Sequence, residues 1–259
     1  MWGDLRASRQ LAWRLVVRDI SSQYRQTAFG YLWAVLPPVL ITLVWVLLNR
    51  SAIVRVNAGS LPYPVYVLTG TIFWQLFVDA LNAPLKQLSG NRSLLSRVRF
   101  PTEALLLSGG AQVLFSFAIK LAVLVGLLIV YRVSVEWTAV FLVFPIAGVL
   151  AVGTVLGVLV APFGMLYKDI DQALLLIVGP LMFLTPVVYP VPATGTLATI
   201  MNANPLTPLL NMARDMLYTG GTDAVAGSGL VAGVTVVVAG IGWLVYRLAL
   251  PILVERLDA

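Results

Sequence analysis

Long apolar segments separated by short polar ones make up most of the chain. Six of them approach or exceed the roughly 20 residues that an α-helix needs to cross a lipid bilayer. They cover residues 31–49, 65–85, 104–131, 138–162, 173–190 and 229–248. The pattern predicts an all-α membrane protein in which residues 31–259 form a single domain of six transmembrane helices.

The first thirty residues follow a different, amphipathic pattern. Apolar and basic side chains separate onto opposite sides of a predicted helix. The apolar side comprises Trp13, Val16, Val17, Ile20 and Tyr24, and the polar side comprises Arg14, Arg18, Ser21, Ser22 and Arg25. Such a helix lies in the membrane interface and does not cross it. We therefore predict an interface helix within residues 1–30, with Gly30 allowing the turn into the first span.

The segment between the fifth and sixth spans, residues 191–228, is too long for a simple turn. It contains two helix-like pieces, near 194–202 and 206–218, divided by Asn204 and Pro205. Neither piece is long enough to cross a bilayer. The pair either lies on the membrane surface or re-enters the membrane where protein or a water-filled cavity covers its backbone. We expect a re-entrant pair, with a gate at Asn202, Asn204 and Pro205.

Composition narrows the chemistry that the chain can perform. Hydrophobic residues make up 59% of its 259 positions and charged residues 11%, against roughly 45–50% and 25% in soluble domains. There is no Cys and no His, which removes thiol chemistry and the commonest metal ligand and general base. The phosphate-binding pattern Gly-x-x-x-x-Gly-Lys-Ser/Thr does not occur. We expect no catalytic residue, metal site or cofactor in this chain, and no nucleic-acid partner; any ATP and Mg²⁺ would be bound by another polypeptide.

The basic residues indicate how the spans are oriented. With both termini in the cytoplasm, the cytoplasmic segments 1–30, 86–103, 163–172 and 247–259 hold 12 of the 17 Lys and Arg residues. The opposite side holds Arg50, Arg55, Arg132 and Arg214. This excess satisfies the positive-inside rule. We therefore predict a multi-pass protein of the bacterial cytoplasmic (inner) membrane with both termini cytoplasmic.

Five short motifs in a fixed order carry a resemblance to a known family. They are RDI (18–20) with YRQT (24–27), Gly30 and WA (33–34); NRSLLSRVRFP (91–101); YKDI (167–170); PVVYP (186–190); and NPLT (204–207). With these motifs, this length and this order of spans, the chain resembles the membrane subunits of ABC-2 type polysaccharide exporters, which export O-antigen, teichoic acid and capsule chains. Pro37-Pro38 departs from the Gln-Pro of many relatives, which affects only the expected local helix geometry.

The resemblance implies that the N-terminal helix and a coupling helix after the second span contact an ATPase partner. The residues agree, because apolar and basic side chains alternate in segment 86–103, as in a short helix that docks into a groove. An ordinary basic loop is the alternative. The loop 163–172 is a third candidate contact. The predicted ATPase-contact residues are Arg18, Asp19, Tyr24, Arg25, Gln26, Arg92, Leu94, Leu95, Arg97, Arg99, Phe100, Tyr167, Lys168 and Asp169.

Polar residues inside the predicted spans are few. Ser108, Gln112, Ser116 and Lys120 recur every fourth residue along the third span. Lys120 is at least about 15 Å from either end, where a charged side chain normally faces the bundle interior or an aqueous cavity. We expect this stripe either to line a channel, through Gln112, Ser116 and Lys120, or to join helices by hydrogen bonds. Asp79 is only about 9 Å deep in the second span, so we do not expect it to pair with Lys120. We expect it to pair with an arginine near the inner surface, and a proton-relay role is the alternative.

Small residues and prolines predict local helix geometry. Gly153, Gly157 and Ala161 form a small-xxx-small ridge in the fourth span, which indicates close packing against a neighbouring helix. Pro180 and Pro186 are expected to bend the fifth span.

Aromatic residues cluster in and around the first two spans. Near the span ends, Trp and Tyr typically mark the membrane interface. Sugar rings also present apolar C–H faces that pack on aromatic planes, so a pore that moves a carbohydrate needs flat aromatic surfaces. The predicted channel-lining aromatics are Tyr31, Trp33, Phe73, Trp74, Phe77 and Tyr189.

Together these features predict the transmembrane half of an ATP-driven exporter. We expect a homodimer with two ABC ATPase subunits that moves a lipid-linked polysaccharide outward. Arg14, Arg18 and Arg25 could meet an anionic headgroup, although the same side chains could serve membrane lipids or the ATPase. An exporter of a drug or small lipid would share this topology. An intramembrane transferase is a less favoured alternative, because it needs a catalytic acid–base or metal group and this sequence offers little to supply one. A secondary transporter would need broken helices in symmetric halves, and the sequence shows no such pattern.

Overall fold

A computed structural model describes residues 16–18, 30–54, 56, 59, 61–91, 102–167, 169–220, 229 and 232–240. Every regular element within these ranges is helical. Residues 16–18 of the predicted interface helix are helical, and the rest of segment 1–29 lies outside the described residues, as does 92–101 of the predicted coupling segment. Gly30 has a φ of +50°, a left-handed conformation that favours glycine, at the turn that was predicted before the first span.

Four long helices come first along the chain. They are α1 (Leu32–Arg50), α2 (Tyr63–Gly90), α3 (Thr102–Tyr131) and α4 (Val143–Leu166), the last preceded by a 3₁₀-helix at Trp137–Leu142. The stretches Leu32–Arg50, Tyr63–Gly90, Ala104–Tyr131 and Trp137–Leu166 are long and apolar enough to cross a membrane. They match the first four predicted spans to within a few residues.

Shorter helices follow. They are α5 (Asp169–Leu181), extended by a 3₁₀ turn at Met182–Leu184, then α6 (Thr196–Ala203) and α7 (Leu206–Arg214), which runs into a π-helical turn at Asp215–Thr219. The prediction of a fifth helix reaching residue 190 is wrong, because the helix stops at Leu184. Pro186 lacks an N–H and disfavours helical dihedrals at Thr185. The two predicted pieces on either side of Asn204-Pro205 are confirmed as α6 and α7. Of the sixth predicted span, residues 232–240 are described, and they are helical.

Helix α2 forms the centre of the bundle. It begins at the sequence Pro62-Tyr63-Pro64, where proline fits the first turn of a helix because its missing N–H would be unpaired there. Most of its side chains are buried, on all sides of the helix, and it packs mainly against α3 and α4. We call the two ends of the bundle the Tyr63 end and the Gly90 end, after the first and last residues of α2.

The contact between α2 and α4 depends on glycines. A Cβ atom on Gly153 would lie 2.8 Å from the carbonyl oxygen of Phe77, and one on Gly157 would lie 2.3 Å from that of Leu81. Ala161 is fully buried next along the same ridge. The predicted small-residue ridge is therefore confirmed as the surface on which α4 approaches the backbone of α2.

Helices α1 and α5 pack much less closely. Only Pro38 and Thr42 of α1 are buried, and α5 has no buried residue. Their exposed apolar side chains include Leu40, Leu43, Val44 and Leu47 of α1 and Leu175, Leu176 and Ile177 of α5. Both helices therefore leave apolar faces free for lipid or for another chain.

Candidate functional site

An ion pair lies between α2 and α3, in the interior of the bundle. Lys120 Nζ donates to Asp79 Oδ2 at 2.6 Å, with the Lys120 side chain 4% exposed and the Asp79 side chain 29% exposed. The prediction that these two residues are not partners, and that Asp79 pairs with an arginine, is wrong. A charge-assisted hydrogen bond of this length is among the stronger polar contacts in proteins.

The direction of the side chains explains why this pair forms. In an α-helix each Cα–Cβ bond tilts toward the N-terminus of the helix. The helices α2 and α3 run antiparallel, so Asp79 tilts toward the Tyr63 end and Lys120 toward the Gly90 end. In addition, α2 continues to Gly90, which places Asp79 about 16 Å from the end of its helix. Both effects reduce the difference in depth between the Asp79 and Lys120 side chains that was estimated from the sequence.

A polar cavity of about 350 Å³ opens between α2 and α3 toward the Gly90 end. Asp79, Lys86, Gln87 and Asn91 contribute from α2 and its C-cap, Gln112 and Ser116 from α3, and Arg18 from the N-terminal segment. Ser108, of the same stripe, is fully buried. The stripe on the third span therefore faces α2 and the polar cavity, and its role in lining a channel stays a prediction.

Arg18 ties the N-terminal segment to the end of α2. Its Nη2 donates to Asn91 Oδ1 at 3.2 Å, and Asn91 Nδ2 donates to the carbonyl oxygen of Gln87 at 2.9 Å. Tyr167 and Asp169 are exposed at the α4–α5 turn. The other predicted ATPase-contact and headgroup-binding residues lie outside the described residues. They are Arg14, Asp19, Tyr24, Arg25, Gln26, Arg92, Leu94, Leu95, Arg97, Arg99, Phe100 and Lys168.

The predicted channel aromatics fall into two groups. Phe73, Trp74 and Phe77 are almost completely buried in the core of the bundle, so in the described structure these rings present almost no surface to a polymer, which counts against a channel-lining role. Their position on α2, the most buried helix, is the physical reason. Tyr31 and Trp33, in contrast, are each more than half exposed at the start of α1.

Tyr189 and the predicted gate residues belong to the connection after α5. The Tyr189 hydroxyl donates to the carbonyl oxygen of Phe183, and burial raises the pKa of the Tyr189 phenol. Asn204 Nδ2 donates to Thr185 Oγ1 at 2.8 Å and to the carbonyl oxygen of Leu184 at 3.1 Å, and Asn204 Oδ1 accepts from the backbone N–H of Leu206 at 2.9 Å. Asn202 and Pro205 are exposed beside it. Asn204 therefore joins the end of α5 to the α6–α7 turn.

Arg214 is a central residue that the sequence alone placed in the helix-like piece 206–218, as one of the basic residues of the outer side. Its side chain is buried among backbone oxygens: Nη1 donates to the carbonyl of Pro186 at 2.6 Å, and Nη2 to those of Val187 at 2.9 Å and Tyr66 at 3.3 Å. The guanidinium also stacks 3.7 Å from the centre of the Tyr66 ring. The available signal was the spacing of Leu206, Leu209, Leu210 and Ala213, which places Arg214 on the buried side of its helix.

Comparison with known proteins connects this architecture to transport. The sequence profile described as "ABC-2 type transporter" matches residues 10–218. The chain belongs to the ABC-2 type transporter family. The matched region contains the four long helices of the described residues, the polar cavity and the Arg214 contacts. Its members are the permease subunits of ABC transporters, so this chain is a multi-pass membrane transport subunit, and ATP hydrolysis is carried out by a separate subunit.

Curated relatives of this ABC-2 type permease are similar along most of their length. The chain is 26% identical over 220 residues to the O-antigen export system permease protein RfbA of Myxococcus xanthus, covering 83% of each chain. It is 22% identical over 209 residues to the protein of the same name from Klebsiella pneumoniae, covering 78% of each. It is 21% identical over 246 residues to the polysialic acid transport protein KpsM of Escherichia coli, covering 90% of this chain and 91% of that one.

Proposed function

We propose that this permease exports a lipid-linked polysaccharide, such as an O-antigen, a teichoic acid or a related glycan, across the bacterial inner membrane. The observation that carries the proposal is similarity over most of the chain to permeases whose names specify O-antigen and polysialic acid. Three features of the fold support it. They are the apolar long helices, the polar cavity at one end, and the interrupted segment at the other.

In the proposed topology the chain crosses the membrane six times, with both termini and the Gly90 end in the cytoplasm. The positive-inside rule supports this orientation. Residues 1–30 form the interface helix, and α6 with α7 form the re-entrant pair. Support for re-entry comes from α7, where Leu206, Leu209, Leu210 and Ala213 are buried against the bundle, because irregular backbone within a membrane needs protein cover.

The working unit in this proposal is a homodimer bound to two ABC ATPase subunits, which hold the ATP and Mg²⁺. The weakly packed faces of α1 and α5 are suited to a two-fold contact, because the same apolar surface is present on each copy. Arg18 and Asn91 support adjacent ATPase contacts by residues 1–30 and 86–103, since their hydrogen bond holds the two segments together.

The proposed glycan path uses exposed aromatic rings near the start of α1. Tyr31 and Trp33 remain candidates for lining it, and Tyr189 lies half-buried after the fifth helix. Gln112, Ser116 and Lys120 remain candidates on the α3 side, where Gln112 and Ser116 line the polar cavity and Lys120 pairs with Asp79, which also lines it. Arg14, Arg18 and Arg25 are proposed to meet the anionic headgroup at the cytoplasmic interface, where basic residues attract phosphate.

Co-purification with the partner ATPase tests the proposal most directly. We expect the permease to retain the ATPase in detergent or nanodiscs, and ATP hydrolysis by the complex to rise when the lipid-linked glycan is added. The same glycan lacking its lipid serves as the control substrate. Stimulation by hydrophobic drugs or short lipids in place of the glycan would contradict the proposed substrate while leaving the family assignment intact.

The role of the exposed aromatics can be tested at Trp33. We expect Trp33→Ala to lower the amount of glycan delivered to the cell surface by about two- to tenfold, the equivalent of about 0.5–1.5 kcal/mol for one aromatic contact. Membrane abundance of the permease should not change, because Trp33 is 53% exposed. Trp137→Ala is the matched control, since Trp137 is 74% exposed on the 3₁₀-helix before α4. Equal export by both variants would remove Trp33 from the path.

A further inference from the structure

Helix α2 and the α5–α7 region meet at a group of residues that we call the Arg214 clamp: Tyr66, Gly70, Pro186, Val187 and Arg214. Tyr66 and Gly70 lie one turn apart on α2. Pro186 and Val187 lie in the irregular chain after α5, and Arg214 ends α7. Three segments that are distant in sequence are therefore joined at one point near the Tyr63 end.

The irregular chain leaves backbone oxygens that need hydrogen-bond donors. The carbonyl oxygens of Pro186 and Val187 are outside any helix and are buried, and a buried carbonyl without a partner is unfavourable. Arg214 donates to both of them and also to the carbonyl of Tyr66 on α2. Its planar, forked guanidinium can bridge three acceptors in this way, whereas the point charge of a lysine cannot.

Gly70 makes the approach of the irregular chain to α2 possible. A Cβ atom at this position would lie 2.1 Å from the carbonyl oxygen of Val187 and 2.4 Å from Arg214 Nη2. No side chain larger than that of glycine fits without moving the backbone of residues 186–187 or the guanidinium. The clamp is therefore a contact of main chain against main chain, fixed by one arginine.

Hydrogen bonds that do not involve the clamp hold α6, α7 and the end of α5 together. Thr207 Oγ1 donates to the carbonyl of Met201 within the α6–α7 hairpin at 2.5 Å. The Asn204 bonds likewise connect this hairpin to the end of α5. These contacts do not involve Arg214. Loss of the Arg214 side chain should consequently leave the short helices formed and change how they are positioned against α2.

We propose that Arg214 is a positioning residue that makes α6 and α7 follow the movement of α2, so that force applied at the Gly90 end of α2 reaches the opposite end of the permease. Helix α2 runs without interruption from Tyr63 to Gly90, a length of about 42 Å. Asn91, its C-cap, receives the Arg18 hydrogen bond at one end, and Arg214 binds the Tyr66 carbonyl near the other. The role in coupling rests on the proposed ATP-driven function.

The effect of Arg214 on the position of α6 within the bundle can be measured without substrate or ATPase. The chain has no cysteine, so cysteines placed at the exposed Val130 of α3 and Leu197 of α6 can carry spin labels without background. With labelled chains diluted into an excess of unlabelled permease, so that only distances within one chain are measured, we expect one narrow distance distribution in the parent and a broad or shifted one in Arg214→Gln and in Gly70→Ala. Arg132→Gln is the matched control, because Arg132 is an exposed arginine at the same end, and it should keep the narrow distribution.

The effect of Arg214 on coupling is measured in the complete complex with its ATPase, as the amount of glycan exported per ATP hydrolysed. We expect Arg214→Gln and Gly70→Ala to retain nucleotide hydrolysis while export falls by about tenfold, a change within the usual range for coupling between distant sites. Arg132→Gln should match the parent in both measurements.

Two results would overturn the inference. One is an unchanged distance distribution in both clamp variants. The other is an unchanged ratio of export to hydrolysis; if both rates fall equally, Arg214 serves only to hold the fold. A parent complex that exports no glycan would reject the proposed function instead. The distance measurement would still decide whether Arg214 positions α6 and α7.

Discussion

Replacing Lys120 by leucine should destabilise the bundle more than replacing both members of its ion pair. The single change leaves the Asp79 carboxylate between α2 and α3 without its 2.6 Å partner. Breaking a fully buried pair costs about 3–5 kcal/mol. The Asp79 side chain is 29% exposed toward the polar cavity, so we expect a smaller loss in the free energy of unfolding, about 2 kcal/mol. Denaturant titration of the purified permease in detergent measures it.

The double variant Asp79→Leu/Lys120→Leu is the informative comparison. It removes both charges and should recover much of the lost stability, because a pair of apolar side chains of similar size is often as stable as a buried ion pair. Lys86→Leu is the matched control, since it removes a lysine that is exposed at the mouth of the same cavity. A single Lys120→Leu variant with the stability and export of the parent would show that neither the pair nor a Lys120-lined path matters.

The substitution Gly157→Val should disrupt the packing of α4 on α2. Even the Cβ atom of the new side chain would lie 2.3 Å from the Leu81 carbonyl oxygen and 3.0 Å from the Pro84 ring. Backbone and a proline ring cannot move aside as a flexible side chain can, so the helices must separate. Overpacking typically costs about 1–3 kcal/mol, and we expect about 3 kcal/mol here because the contact is with main chain. The thermal unfolding midpoint and the yield of folded permease report this loss.

Gly126→Val provides the control for the change at position 157. Gly126 lies in the last third of α3, and a Cβ atom there would meet no neighbouring atom within 4 Å. A substitution on such an open surface should change stability by no more than about 0.5 kcal/mol. Similar unfolding midpoints for the Gly157→Val and Gly126→Val variants would contradict the close approach of α4 to α2.

The sequence was sufficient to locate most of the helices. Apolar length identified the first four spans, and the Asn204-Pro205 break separated α6 from α7, because these signals depend only on the local chain. The end of the fifth helix was misplaced because apolar residues continue through 185–190. The backbone of these residues is determined by Pro186 and by the hydrogen bonds from Arg214 to the carbonyl oxygens of residues 186 and 187. Arg214 lies far along the chain, so a local sequence pattern does not reveal these bonds.

The candidate site was harder to predict, because contacts between helices decide it. Asp79 and Lys120 were predicted not to pair because their depths were estimated by counting residues along each helix axis. Such a count ignores the tilt of side chains toward the helix N-terminus. Trp74 was assigned to a channel from its residue type alone. The better guide was that α2 is the least apolar of the four long helices, so it is the one least suited to face lipid and is buried by its neighbours.

The length of α5 has a consequence for the lipid around the permease. With its 3₁₀ extension it comprises 16 residues, a rise of about 25 Å, whereas the hydrocarbon core of a typical bilayer is about 30 Å thick. As the fifth crossing of the proposed topology, and with Met182 as its only buried side chain, α5 meets this mismatch wherever the second copy does not cover it. The membrane must become thinner beside it, which makes this side of the permease the part most sensitive to acyl-chain length.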